Sequence, residues 1–275
     1  MELDPVWLLV LPLVFALGWI TARYDRGQQR SEGRHASAEV LSAMSALMAN
    51  DAQAATDKLL SAARSDPDDS ELHRAVGNLY RKRGLVDRAI EVHEAALRAP
   101  AIAPADRQEL IIDLARDYLA AGLFDRAEGV LQELLTQESP NLAAAQARNL
   151  LLELSQLTRN WTEAIRWAKE IQSHGGSFGS HSADQLLGHF QCELAAAAVG
   201  QGDQSKALSA LTEADRYLAP GPLARIKELR SQLIGGQTKS ESAQPSACRV
   251  CGFRTKQQLW QCPGCHHWDS FQAIA

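Results

Sequence analysis

Four of the five cysteines fall between residues 248 and 265, in the stretches "CRVC" and "CPGC". Cys248, Cys251, Cys262 and Cys265 follow the spacing C-x2-C-x10-C-x2-C. Each CxxC forms a tight knuckle that aims two sulfurs at one point. Two knuckles joined by a short hairpin can close a tetrahedral four-thiolate site. One half of the motif also admits another chemistry, because Cys262-x-x-Cys265-His266 has the form of a c-type haem attachment site. The second knuckle favours the metal. Zinc is the expected ion, and iron suits the same sulfurs. Gly252 lets the backbone turn so that its N–H groups face sulfur, and Pro263 stiffens the second knuckle. Phe253, Trp260, Trp268 and Phe271 are expected to form a small apolar cover. A module this short cannot fold on apolar burial alone. A bound metal can contribute on the order of 10–16 kcal/mol in such a module.

The residues before it, 1–246, must carry this module, in a chain long enough for one or two domains. The chain has 275 residues, 45% of them hydrophobic but only 6% aromatic, and a net charge of −5. Abundant alanine with few aromatics points to close-packed helices rather than sheet. The acidic balance argues against nucleic acid as a partner, and Arg249, Arg254 and Lys256 are too few to make the cysteine module a nucleic-acid ribbon. The sequence contains no nucleophile elbow, no HExxH and no dinucleotide fingerprint, so no enzyme is expected. The loop "GGSFGS" between His174 and His181 lacks the Gly-Lys-Ser/Thr ending of a phosphate loop and reads as a connector. Cys192, within "CELAAAA", reads as a small buried hydrophobe.

Two segments nearly copy one another: "GLVDRAIEVHEAAL" (84–97) and "GLFDRAEGVLQELL" (122–135). Such a period indicates stacked helical hairpins of the tetratricopeptide kind. The small residue that opens the second helix of each hairpin recurs at Ala55, Ala89, Ala127, Ala164 and Ala207. Its counterpart on the first helix falls at Ala43, Gly77, Ala115, Leu152 and Ala195. Small side chains are needed there because larger ones would push the paired axes apart. Each hairpin has an apolar face that it cannot bury alone, so neighbours must stack, and the resulting surface binds other proteins. Arg74, Arg81, Lys82 and Arg83 are expected to form a solvated face; an acidic partner segment is the competing reading. Asp68 and Asp69, in "DPDDSE", read as helix-start residues.

At the other end, Pro5 to Ala22 contains no charge. As a helix it would reach about 27 Å, enough to cross a bilayer core. Trp7 and Trp19 suit the two interfaces. Glu2 and Asp4 stand where a signal peptide would carry positive charge. Arg23, Arg26, Arg30 and Arg34 follow the span, which leaves the body in the cytoplasm and the N-terminus outside. That orientation opposes haem attachment.

The expected fold class is mainly α, a tetratricopeptide solenoid with an N-terminal transmembrane helix and a C-terminal rubredoxin-like ribbon. The expected domains are an anchor (1–22), a basic juxtamembrane segment (23–35), an array of about five repeats with a capping helix (36–234), a flexible linker (235–246) and the four-cysteine domain (247–275).

Together, "GNLYRKRGLVDRAIEVHEAAL" (77–97), "ARDYLAAGLFDRAEGVLQEL" (115–134) and "CGFRTKQQLWQCPGCHHW" (251–268) resemble segments of the lipopolysaccharide assembly protein B (LapB, YciM) family. The resemblance runs from anchor to tail, with a shortened repeat array, and the four cysteines match the family's metal ligands. It implies a bacterial inner-membrane adaptor without catalytic activity of its own. Such an adaptor serves the membrane protease FtsH, promotes degradation of the deacetylase LpxC and contacts the lipopolysaccharide assembly machinery. A scaffold for another membrane assembly process is the alternative, and a cytochrome c biogenesis protein a more distant one.

Overall fold

The computed structural model describes residues 38–65, 69–99, 102–136, 142–176, 182–217, 220–235, 245–256 and 259–274. The anchor, the juxtamembrane segment, His181, Asp68 and most of the linker lie outside them. Among the described residues no helix is long and apolar enough to cross a membrane. The chain forms two compact units, Met1–Gln137 and Glu138–Ala275.

Among its described residues the first unit holds three helical hairpins: α1 (38–48) with α2 (Ala52–Ser65), α3 (Ser70–Lys82) with α4 (Val86–Leu97), and α5 (Pro104–Ala120) with α6 (Phe124–Leu135). The second holds α7 (Leu142–Leu157) with α8 (Trp161–Ser173), α9 (Ala183–Gly200) with α10 (Gln204–Ala214), then α11 (Pro220–Gly235) and three short strands. The fold is mainly helical and tetratricopeptide-like, with a C-terminal ribbon.

The periodic small residues sit where the helices touch. Ala55, Ala89, Ala127, Ala164 and Ala207 are all completely buried, as are Ala43, Ala115 and Ala195. Gly77 is the tightest point. A Cβ there would come within 2.3 Å of Nε2 of His93, so the imidazole of α4 lies directly on the α3 backbone. Around these contacts Leu59, Leu72, Val76 and Tyr80 form one core of the first unit, and Leu114, Tyr118 and Ala127 a second. In the second unit Ile226 and Leu229 of α11 close over Cys192, Ala195 and Leu211.

The hairpin turns repeat as well. Each anchor alanine is preceded, five residues earlier, by a residue in the left-handed region: Asn50, Gly84, Gly122, Arg159 and Gly202, with φ between 55° and 75°. Glycine adopts this conformation freely, asparagine tolerates it, and arginine pays a Cβ clash of roughly 1–2 kcal/mol. Arg159→Gly is therefore expected to stabilise the second unit by about 0.5–1 kcal/mol, after the entropy cost of a new glycine. Thermal unfolding of the purified chain measures the shift. After most turns the next helix is capped by a side chain. Asp51, Asp69, Asn160, Ser182 and Asp203 each accept from the backbone N–H three residues on.

The basic cluster on α3 is not the solvated face expected from the sequence, nor is most of it open to a partner. Arg74 pairs through Nε with Asp113 (2.9 Å) and also with Glu109. Arg81 reaches Asp117 at 2.5 Å. Arg83 bonds Gln53 and Thr56 on α2. Asp113 and Asp117 lie one turn apart on α5 and are 1% and 0% exposed. Asp117 also accepts from Nδ1 of His93 (2.5 Å), and Arg116 completes the pairing of Asp113. Burial acts to raise the carboxyl pKa of Asp113, but Arg74, His93 and Arg116 outweigh it and hold the group below its ordinary value. Its contribution is therefore present at neutral pH and disappears as pH falls through the depressed value, below about 4.

Such buried charges tie neighbouring hairpins in one register, and breaking one leaves others unpaired. Asp117→Asn keeps the shape but weakens both charge-assisted bonds. It should cost about 2–3 kcal/mol, read as a lower urea midpoint at pH 7.

Candidate metal centre

The ribbon is built on β1 (Ser246–Cys248), β2 (Arg254–Thr255) and β3 (Phe271–Ala273). The strand order is β2-β1-β3, both pairs antiparallel, with Cys248 opposite Phe271.

The two knuckles have the same backbone geometry. In the first, Cys248 N–H donates to Phe253 O (2.8 Å) and Gly252 N–H to Cys248 O (2.9 Å). In the second, Cys262 N–H donates to His267 O (2.9 Å) and His266 N–H to Cys262 O (2.8 Å). Gly252 has φ +76° and His266 has φ +58°. His266 thus fills, in its knuckle, the left-handed position that glycine fills in the other. Its backbone serves the turn, and both cysteines of the haem-like motif belong to a cluster with Cys248 and Cys251. Gly264 lies at another close approach, where a Cβ would be 3.4 Å from Sγ of Cys251.

The folded chain brings all four predicted cysteines together, with their sulfurs within 4.8 Å of one another. Cys248 and Cys265 are 3.6 Å apart and Cys251 and Cys262 are 3.5 Å apart. A tetrahedron of sulfurs around a metal at about 2.3 Å has edges of about 3.8 Å, so the site fits a four-coordinate thiophilic ion.

The sulfurs are also electrostatically primed and mutually opposed. Burial acts against ionising Cys248, yet Ser270 Oγ at 3.3 Å and the N–H groups of Cys251 and Val250 bring its thiol down to about 5. The N–H of His267 favours the Cys265 thiolate, but burial and the three other sulfurs push it up to about 12. Four thiolates this close repel one another unless a cation sits among them.

The apolar cover expected from the sequence is arranged differently. Phe253 is exposed. Trp268 is buried, but against the helices: it stacks on His189 (4.7 Å) and meets Phe190 and Trp161 edge-on (5.9 and 6.1 Å). Its indole N–H donates to Gln156 Oε1 at 3.1 Å. Asp269, with φ +49°, accepts from Gln185 (2.7 Å) and His189 (2.8 Å). Arg225 of α11 lies over the Trp260 ring at 5.7 Å. The residues just after the second knuckle therefore fasten the ribbon to α7, α8 and α9. Sequence reasoning missed Gln156, Trp161, Gln185, His189 and Phe190 because nothing in their local pattern separates them from ordinary core and surface positions.

Cys192 is fully buried on α9, and burial pushes its thiol up to about 12, which keeps it protonated and chemically quiet.

Residues 247–273 match the family model described as the rubredoxin metal binding domain. The lipopolysaccharide assembly protein B of Escherichia coli strain K12 is 32% identical over 204 residues, covering 74% of this chain and 51% of that protein. The protein of the same name from Haemophilus influenzae is 27% identical over 172 residues, covering 59% of this chain and 43% of that one. The chain thus spans about half the length of the curated relatives it matches. A crystal structure of MamA protein aligns with a TM-score of 0.49 at 16% identity, over 76% of this chain and 100% of that chain. With its helical repeats and its four-cysteine ribbon, the chain belongs to the lipopolysaccharide assembly protein B family.

Proposed function

We propose that this protein is a membrane-anchored cytoplasmic adaptor that limits lipopolysaccharide synthesis by promoting FtsH-dependent degradation of the deacetylase LpxC. In this reading residues 5–22 span the inner membrane once, with the N-terminus in the periplasm and the repeats in the cytoplasm. The repeats hold the client and the lipopolysaccharide assembly machinery, and Cys248, Cys251, Cys262 and Cys265 bind one structural zinc ion. The protein contributes no catalytic group of its own.

The observation that carries the reading is the fastening of the cysteine ribbon to the helical array through Trp268 and Asp269, in a chain of this family. A metal module tied to a repeat array suits a scaffold that must hold one shape while it presents a client. The test is depletion of the protein from its own cells, with LpxC followed by immunoblot after synthesis is stopped. LpxC should persist and accumulate. Unchanged LpxC turnover would remove the assignment to this pathway and leave a scaffold for another membrane process.

A further inference from the structure

We propose that α1 is a second membrane contact, whose outward face rests on the surface of the lipid bilayer. Leu41, Met44, Leu47 and Met48 are 67%, 56%, 43% and 90% exposed, although all four are large and apolar. They fall at helical spacing on one side of α1, with only Ser45 among them. The opposite side, with Ala43 and Ala46, is buried. Glu39, the one charged residue of α1, turns toward α2 and accepts from Ser61 Oγ, and Lys58 of α2 donates to Ser42 Oγ. The face is therefore both apolar and uncharged, and contiguous exposure of this kind marks a contact surface. It also holds two of the three methionines in the chain, the third being Met1. Methionine is the side chain that adapts best to a fluid or irregular neighbour.

What covers the face follows from what precedes it. Residues 23–37 separate the uncharged segment 5–22 from α1. Fifteen residues reach at most about 50 Å even when fully extended, which tethers α1 near the bilayer. That connector carries Arg23, Arg26, Arg30 and Arg34 against Asp25 and Glu32. Its positive balance is drawn to anionic headgroups, and an amphipathic helix beside it can then lay its apolar side into the interface. This rests on the reading that residues 5–22 span the membrane.

The test uses the full chain, one copy per nanodisc of phosphatidylethanolamine and phosphatidylglycerol. Dilute hydrogen peroxide is added and oxidation of Met44 and Met48 is followed by peptide mass spectrometry. The comparison is Leu41→Glu with Leu47→Glu, two exposed changes that leave the buried side intact. In the unaltered chain both methionines should oxidise about fivefold or more slowly than in the variant, because sulfoxide formation follows exposure. A photoactivatable phospholipid should also label the peptide containing α1. Equal rates with no lipid adduct would overturn the proposal, as would protection that arises only with two copies per disc, which would assign the face to a second copy. A chain that elutes apart from the discs would overturn the membrane span, and this inference with it.

Discussion

Replacing Cys248 and Cys262 together by serine should empty the metal site and unfold the ribbon while the helices stay formed. Serine oxygen is a poor ligand for a thiophilic ion, and two sulfurs cannot close a tetrahedral site. The ribbon has little else to hold it. Its sheet is three short strands, and its one well-buried tryptophan faces the helices rather than a core of its own. In the proposed reading a bound metal would supply most of its stability, on the order of 10–16 kcal/mol in comparable modules. Elemental analysis of the purified protein should show one equivalent of zinc falling to none, and a strong chelator should do the same to the unaltered chain. Amide exchange over residues 246–273 should lose its protection, while α7, α8 and α9 keep most of theirs. A ribbon that stays protected without metal would show that the helices alone hold it. Retention of iron instead of zinc would keep the structural role and change the ion.

Much of this site was legible because thiolate spacing is a strict geometric signal. C-x2-C-x10-C-x2-C leaves few ways to arrange four sulfurs. The repeats were legible for a related reason. A completely buried contact between two helices admits only small residues, so alanine or glycine recurs at that position, as at Ala89 and Gly77. Long-range polar pairing was not legible. Arg74 and Arg81 look like surface residues in sequence, and nothing local announces that Asp113 and Asp117, one hairpin later, will bury themselves against them. The signal that existed was weak: two aspartates one turn apart inside an otherwise apolar helix, in "IIDLARDYL". His266 was misleading for the opposite reason. Its place beside Cys265 suggested chemistry, whereas its backbone angle shows that it serves as a turn residue. Trp268 was recognised as a burying residue but given the wrong surface, because a sequence pattern marks apolarity without marking its neighbour.

That surface gives Trp268→Ala the second large expected effect. The indole contacts three ring systems on α8 and α9 and donates to Gln156 on α7, so its loss removes both a large apolar contact and a hydrogen bond. Truncating a buried tryptophan costs about 3–5 kcal/mol. Here the cost falls on docking, because the four sulfurs and both knuckle hydrogen-bond pairs lie outside the contact. Gln185 and His189 would still hold Asp269, but these two part-buried bonds to a carboxylate contribute only about 1.5 kcal/mol each at the low end. The variant should therefore keep its metal and release the ribbon from the helices. Zinc content should stay at one equivalent. Limited proteolysis should cut much faster near residues 236–245, and exchange protection at Phe190 and its neighbours should fall. If the variant also loses its metal, then helix contact is required to assemble the site, and ribbon and array form a single cooperative unit. If the cut stays slow and the metal stays bound, Asp269 is the main fastening, and Asp269→Asn is the change that should release the ribbon.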